Sequence, residues 1–203
     1  FFTHMDNKEG AYAKSAPKLI SKQLYNRISA TDIRRDWWDP SDKESPYVSK
    51  KFSFANVASF LGDYIYMRVE EMYFIEAEAK AHENLGEGIR LLNEFMNNYR
   101  IVGGGYDCTN MSSSVENFTN ELMLQKRIEF WGEGIVMFDM KRLDMSTRRG
   151  YVGTNSPASY RLNTEGRAPY WNFVISRGET QNNPVIATQN NPDPSQTVKP
   201  WNG

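Results

Sequence analysis

The chain is short of most of the residues on which chemistry is built. Among 203 residues there is one cysteine, Cys108, and there are two histidines, His4 and His82. One cysteine excludes an internal disulfide framework. A catalytic thiol needs a histidine beside it, and neither histidine stands in a recognisable motif. Cys108 lies between Asp107 and Thr109 in a polar stretch and reads as incidental. The same scarcity leaves no zinc site of ordinary composition, and no cofactor is implied. Charge of one sign is missing too. Lys and Arg total 24 against 25 Asp and Glu, so the net charge of −1 gives no electrostatic case for nucleic acid. No apolar run reaches the length of a membrane span before a charge interrupts it. The start, Phe1-Phe-Thr-His, shows no Met and no basic-then-apolar signal pattern. The chain is therefore expected to be processed or to belong to something longer.

What the sequence does have is aromatic residues, 13% of the chain at a mean hydropathy of −0.65. They serve either as large core side chains or as exposed ring platforms, and composition does not separate the two. A length of 203 residues suits one domain with appendages and is enough to bury a core.

Two blocks place Glu and Arg inside otherwise apolar helices. One is Asp63-Tyr-Ile-Tyr-Met-Arg-Val-Glu-Glu-Met-Tyr-Phe-Ile-Glu-Ala-Glu-Ala-Lys-Ala. The other is Glu121-Leu-Met-Leu-Gln-Lys-Arg-Ile-Glu-Phe-Trp-Gly-Glu-Gly, continuing to Phe138-Asp-Met-Lys-Arg-Leu. Charges in such surroundings must be paired. The spacing predicts helices over 64–83, 88–99, 115–131 and 135–143, with a weaker helical signal over 16–28. In the first, Ile65, Val69, Met72, Glu76 and Ala79 share a face, which puts Glu76 in the apolar stripe. Residues 84–88 read as a turn, so the helices on either side are antiparallel neighbours of about one tetratricopeptide unit. The second would bury Leu92, Phe95, Met96 and Tyr99. One such pair cannot cover its own outer face, so an exposed apolar patch is expected along 64–99. The helix over 115–131 has no clean polar face and should be buried on several sides. Arg127, Glu129, Glu133, Asp139 and Arg142 read as a structural ion-pair network, with Arg68 and Glu76 as cross-helix partners. Glu76 and Arg127 are expected to be largely buried and paired.

The remainder is less regular. Residues 1–15 are polar, Pro40 and its neighbouring Asp residues mark a loop, and 49–60 reads as a short strand or extended arm. Gly103-Gly-Gly-Tyr-Asp lacks the Gly-Lys-Ser/Thr of a phosphate cradle and reads as a linker. Beyond 148, Pro, Asn, Gly, Ser and Thr dominate. One short extended segment stands at 170–176, and a tail from Gln181 would lie along the surface.

These blocks resemble the SusD/RagB family of nutrient-binding outer-membrane lipoproteins of the Bacteroidota. The segments that carry the resemblance are Asp32-Ile-Arg-Arg-Asp, Tyr66-Met-Arg-Val-Glu-Glu-Met-Tyr-Phe-Ile-Glu-Ala-Glu-Ala, and Leu92-Asn93 leading to Arg100. Arg127-Ile-Glu-Phe-Trp-Gly-Glu-Gly with Phe138-Asp-Met-Lys-Arg matches closely. The strip from Ile175 through Glu179 to Asn183-Pro184 is similar, although Ser176 stands where the pattern has proline. The match runs from about residue 29 to 184 and corresponds to the family's C-terminal half. It implies an all-α superhelix of tetratricopeptide-like pairs with long irregular loops and few short strands. The chain would be the C-terminal portion of such a domain, with a helical core over 64–147 and a loop-rich segment over 148–203.

The resemblance further implies a non-catalytic subunit that captures a glycan or a peptide and passes it to a SusC-like TonB-dependent transporter. It would sit at the cell surface on the outer membrane, anchored by lipid through an N-terminal portion of the same protein outside these residues. The motifs are scaffold and do not locate the ligand. Sugar recognition needs exposed aromatic faces beside hydrogen-bonding groups. Trp37 and Trp38 with Arg34, Arg35 and Asp36 meet that description, as does Tyr106 with Asp107 and Asn110. Loop packing is the plainer reading of both groups. Two other classes stand against a binding subunit. A glycoside hydrolase would need two carboxylates facing one cleft at roughly 5–9.5 Å. A tetratricopeptide-type adaptor would need further helical repeats beyond residue 143.

Overall fold

The computed structural model describes residues 6, 15–52, 65–194 and 197–203. Those residues are mainly helical, and their only sheets are two-stranded. The chain divides into two compact units, Phe1–Gly134 and Ile135–Gly203.

In the first unit, α1 covers only Lys22–Tyr25. The longer helix expected over 16–28 does not form, because its first part is used in extended pairing. Leu19 bridges Val48, and Ile20 N–H donates to the Tyr47 carbonyl at 3.1 Å. A five-residue 3-10 turn, Ile33–Trp37, follows, capped by the Asp32 side chain, which accepts from Arg34 N–H. β1 (Trp38–Asp39) then pairs antiparallel with β2 (Val48–Ser49), with Trp38 opposite Ser49. The strand expected over 49–60 survives only as its first residue, and 53–60 lie outside the described residues.

Three helices form the centre of this unit. α2 spans Val69–Glu83, α3 Leu85–Tyr99 and α4 Val115–Glu129. α2 starts later than periodicity predicts. Residues 65–68 are not helical, and Arg68 is extended at the N-cap while its guanidinium is held by Glu129 and Glu133. Tyr64 lies outside the described residues.

α3 starts three residues earlier than expected. Asn84 alone separates it from α2, and the Asn84 side chain caps it by accepting from Glu87 N–H at 3.3 Å. Gly86 and Gly88 are thus helical residues and not turn residues. Gly88 is required by close packing, since a Cβ there would stand 2.5 Å from Ala81 Cβ and 2.7 Å from the Ala77 carbonyl. Ala81 faces Gly88 at the junction, and Phe74 meets Phe95 with ring centroids 5.1 Å apart two turns away. The two helices therefore run antiparallel.

The buried face of α2 is Phe74, Ala77, Glu78 and Ala81. The stripe that periodicity singled out, with Val69, Met72, Glu76 and Ala79, faces solvent. The reason is that α2 is apolar on two sides and the other side has the partners. α3 buries Leu92, Phe95 and Met96 as expected, together with Gly88 and Ile89, while Tyr99 stays half exposed. α4 buries residues around most of its circumference, among them Phe118, Leu122, Met123, Leu124, Ile128 and Glu129. Its Leu124 and Ile128 close a core with Ile20, Leu24, Tyr25, Ile28 and Trp38, bordered by Trp37, Tyr47 and Trp131.

The second unit begins with α5, Val136–Arg142. β3 (Ser146–Arg148) and β4 (Asn163–Arg167) form an irregular antiparallel ribbon. Asn163 holds its end by accepting from Arg149 and Gly150 N–H and donating to the Gly150 carbonyl. In place of the extended segment expected at 170–176 there is a 3-10 turn, Pro169–Trp171, followed by unpaired chain. Asn190 brackets Ile175 through both backbone groups, at 2.7 and 3.1 Å. The tail carries two short helices, α6 (Arg177–Asn182) and α7 (Pro184–Ala187). Near its end Trp201 N–H donates to the Arg161 carbonyl at 2.8 Å.

Replacing Gly88 tests the α2–α3 contact. Gly88→Val is expected to cost about 1–3 kcal/mol through overpacking, read as a lower urea midpoint at unchanged slope. An unaltered midpoint would show that the hairpin has slack.

Candidate functional site

The densest chemistry in the first unit is a buried cluster of ions around Glu129, whose side chain is fully enclosed. One carboxylate oxygen, Oε2, accepts from Arg100 Nε at 2.8 Å and Arg34 Nη1 at 3.3 Å. The other, Oε1, accepts from Arg100 Nη2 at 2.9 Å and from Arg68 Nη2. Three guanidiniums from three parts of the chain thus converge on the last residue of α4.

Each arginine is held on its far side. Arg34, itself wholly buried, grips Asp32 through Nε and Nη2 and donates to Gln125 Oε1 at 2.6 Å. Arg100 reaches Glu70 at 2.9 Å, and Arg68 reaches Glu133 at 2.7 Å. Lys51 completes the set. Its ammonium donates to Glu133 Oε1 at 2.5 Å, to the Glu129 carbonyl at 2.6 Å and to the Trp131 carbonyl at 3.1 Å. Four cations, Arg34, Lys51, Arg68 and Arg100, balance four anions, Asp32, Glu70, Glu129 and Glu133. From Gln125 the chain of bonds continues through Glu121, at 2.8 Å, to the Tyr106 hydroxyl at 2.7 Å.

Protonation follows from this packing. Burial pushes the Glu129 carboxyl up, but hydrogen bonds and charge from Arg100, then the charges of Arg34 and Arg68, outweigh it and hold the group below the ordinary value of 4.5. Burial lowers Lys51, and the attraction of Glu133 only partly offsets it. Burial beside Glu121 raises the Tyr106 phenol. Burial also pushes the Cys108 thiol up to about 11, so it is an unreactive side chain.

The expected ion-pair network is therefore partly different in membership. Arg68, Glu129 and Glu133 are joined in it. Glu76 is exposed, because the stripe it belongs to is the outward one. Arg127 is half buried and makes no ion pair or hydrogen bond with a described residue. Burial and the nearby Arg27 lower its pKa, so it is not the paired core arginine expected. Asp139 and Arg142 lie on α5 in the second unit and pair with each other at 2.8 Å. Residues missed were Asp32, Lys51, Glu70 and Arg100. Asp32-x-Arg34 and Arg100 stood in the motif segments, and the close spacing of Asp32 and Arg34 was the available signal.

Of the residues expected at a ligand, Arg34 and Trp38 are interior. Arg34 is consumed by the network, and Trp38 is core, its indole meeting Trp131 at 5.7 Å. Arg35 lies over the Tyr25 ring at 4.4 Å and donates to the Ile28 carbonyl. Asp36 is exposed and Trp37 half buried, with Lys51 Nζ 4.8 Å from its ring. Phe52, stacked on Trp131 at 6.4 Å, is the next ring under the same ammonium. In the other group, Tyr106 is fixed at both ends, since its backbone is clamped by Asn97 and its hydroxyl by Glu121. Asp107 accepts from Thr109 N–H at 2.8 Å just ahead of the 3-10 turn Thr109–Met111, and Asn110 is exposed on that turn.

The model of the SusD family matches residues 12–197, and the chain belongs to that family. Among solved structures it is similar to a SusD-like carbohydrate binding protein from Bacteroides vulgatus ATCC 8482. The TM-score is 0.68 at 24% identity, over 96% of this chain and 46% of that one. The chain thus spans less than half the length of that relative. No curated protein matches it.

Glu129→Ala strands three arginines, and breaking a buried pair in this way costs about 3–5 kcal/mol. Arg127→Leu, which removes an unpaired charge, should stay within about 1 kcal/mol. Equal losses in denaturant titrations would contradict the network. Because the folded carboxyl of Glu129 lies below its unfolded value, its stabilisation is complete above pH 4.5 and fades as pH falls through the folded value. The acid limb of stability should be shallower in Glu129→Gln than in the wild type, and an identical limb would contradict this assignment.

Proposed function

We propose that the chain is part of a non-catalytic, surface-exposed glycan-binding subunit. It would capture oligo- or polysaccharide and deliver it to a SusC-like TonB-dependent transporter in the outer membrane. The observation that carries the reading is membership of the SusD family over residues 12–197. The similarity to a solved carbohydrate binding protein supports it. No helix among the described residues is long and apolar enough to cross a membrane, which is compatible with attachment by lipid on another part of the polypeptide. The state of the carboxylates also supports binding over hydrolysis. Glu129 and Glu133 are each clamped by two or more cations, whereas a glycosidase needs one carboxyl free to be protonated and another free to attack or to activate water.

For the ligand contacts we assign Trp37 with Asp36 as one group and Asp107 with Asn110 as the other. These residues are half buried or exposed, as are Arg35 and Tyr106, but Arg35 is committed to Tyr25 and the Ile28 carbonyl and Tyr106 to Asn97 and Glu121. A sugar ring stacks on an indole face while its hydroxyls bond to carboxylate and amide groups.

Native affinity electrophoresis through gels cast with a panel of polysaccharides should show retardation by at least one of them, with no reducing ends released. Trp37→Ala should reduce that retardation by about tenfold in apparent affinity, equivalent to about 1.4 kcal/mol. Reproducible hydrolysis lost in Glu133→Gln would overturn the binding-only reading. Unchanged retardation in Trp37→Ala and Asp107→Ala would remove the assigned contacts.

A further inference from the structure

Every cation of the Glu129 cluster has a carboxylate to meet, but one half-buried cation of the same helix has none. Arg127 stands next to Ile128 and one turn from Leu124, both buried in the core shared with Leu24, Tyr25, Ile28 and Trp38. Its side chain makes no ion pair, hydrogen bond or ring contact with a described residue. A guanidinium carries five N–H donors and keeps its charge in a protein. Arg127 therefore holds an unneutralised charge and unspent donors beside an apolar core, an arrangement that desolvation penalises.

The fold adds to this charge instead of relieving it. Arg27 follows α1 and precedes Ile28 of the same core, and among the described residues it is the charge that acts on Arg127, with the same sign. Arg27 is exposed, and its side chain also has no ion pair or hydrogen bond with a described residue. Two guanidiniums from different segments thus stand at one locality without an anion. Another donor of that core, the buried Trp38 indole N–H, lacks an acceptor as well. The deficit around this core is of acceptors, not of donors.

We propose that Arg127 and Arg27 form a binding site for a small oxyanion, a carboxylate, sulfate or phosphate group, free in solution or carried on a glycan. The sources share one chemistry, since such groups accept paired N–H bonds from the fork of a guanidinium. Arg127 supplies the fork anchored on α4, and Arg27 supplies the solvent-facing one. The same helix shows the preference at its end, where three guanidiniums close on the Glu129 carboxylate. An oxyanion at Arg127 does for that residue what Glu129 does for Arg34, Arg68 and Arg100. The glycan-borne form, an acidic polysaccharide, rests on the binding role proposed above; the anion site itself does not.

The test uses the polypeptide as encoded and compares wild type with Arg127→Leu, Arg127→Lys and the exposed-site variant Arg27→Gln. Melting temperatures are followed in sodium sulfate and in sodium chloride at equal ionic strength. Sulfate stabilises proteins in general by exclusion from their surface, so the difference between wild type and variants is what counts. The wild type should gain more from sulfate than any variant. The apparent affinity for sulfate should fall about tenfold or more in Arg127→Leu and less in Arg127→Lys, which keeps the charge without the fork. Gels cast with a sulfated polysaccharide, a polyuronate or a neutral polysaccharide then separate the sources. Retardation by an acidic polysaccharide that weakens in Arg127→Leu, with neutral retardation unchanged, assigns the anion to the glycan. A sulfate effect without that change assigns it to a free ion. Loss of retardation in every gel would remove the glycan role and leave the sulfate result standing. An equal response to sulfate in wild type and all variants would overturn the site. So would a large fall in the melting temperature of Arg127→Leu without added anion, because a carboxylate of the polypeptide would then already hold the guanidinium.

Discussion

The first unit depends on a carboxylate that water cannot reach. Glu129 is enclosed at the C-terminal end of α4, where a lone negative charge would be strongly disfavoured by desolvation and by the helix dipole together. It is tolerable only because Arg34, Arg68 and Arg100 all arrive at it. Those three residues lie in the 3-10 turn after Asp32, in the extended entry to α2 and just past the end of α3. One side chain therefore ties together three backbone segments, two of which are also joined by the bonds from Ile33 N–H to the Arg100 carbonyl and from Val102 N–H to the Thr31 carbonyl. The same demand explains local backbone choices. α2 cannot begin before Val69, because Arg68 must stay extended to present its guanidinium. Asp32 both caps its turn and neutralises the arginine two residues on.

A neutral cluster of this kind does not have to add stability relative to an apolar core of the same shape, since the desolvation of each ion opposes the attraction between them. What it adds is geometry. Leu and Phe tolerate sliding contacts, whereas a guanidinium that must satisfy a carboxylate on one side and a second acceptor on the other has very few permitted positions. The aromatic rings complete the fit. Arg68 lies over Phe130 and Arg100 over Phe95, so that the faces left free of hydrogen bonds meet π-systems instead of bare hydrocarbon.

Periodicity made the helices legible but not their orientation. α3 and α4 were readable because their patterns admit one solution: α3 has a single apolar side and α4 has nearly none that is polar. α2 admits two. Glu76 and Glu78 stand two residues apart, about 200° around the helix, so choosing the wrong stripe exchanges the buried glutamate for the exposed one. No local property of the sequence breaks that tie, because it is decided by what α3 and α4 place opposite. Arg127 and Glu129 pose the same difficulty on α4. Both are charges in apolar company, and only the arrival of residues 34, 68 and 100 makes one of them a hub and leaves the other unpaired. Gly88 misled for a related reason. Glycine after a charged helix end is an ordinary stop signal, and here it is instead the point where two helices touch. The two candidate ligand groups were likewise chosen by residue type. Burial then divided each of them, sending Arg34 and Trp38 inward and leaving Trp37 and Asp36 at the surface.

That division ties the scaffold to the proposed binding role. In the 3-10 turn Ile33–Trp37, Trp37 stands one turn after the inward-anchored Arg34 on the same side, and lies half buried at the border of the core. The ring is then steadied from a second direction. Lys51 cannot rotate freely, since all three of its protons are committed to Glu133 and to the Glu129 and Trp131 carbonyls, and in that fixed position its ammonium sits beside the Trp37 face. A surface tryptophan normally loses side-chain freedom when it stacks on a ligand. Here much of that freedom is already removed by the ion cluster beneath it. On the proposed reading, the buried charges would thus pre-organise Trp37, one of the half-buried rings beside the cluster, for a ligand.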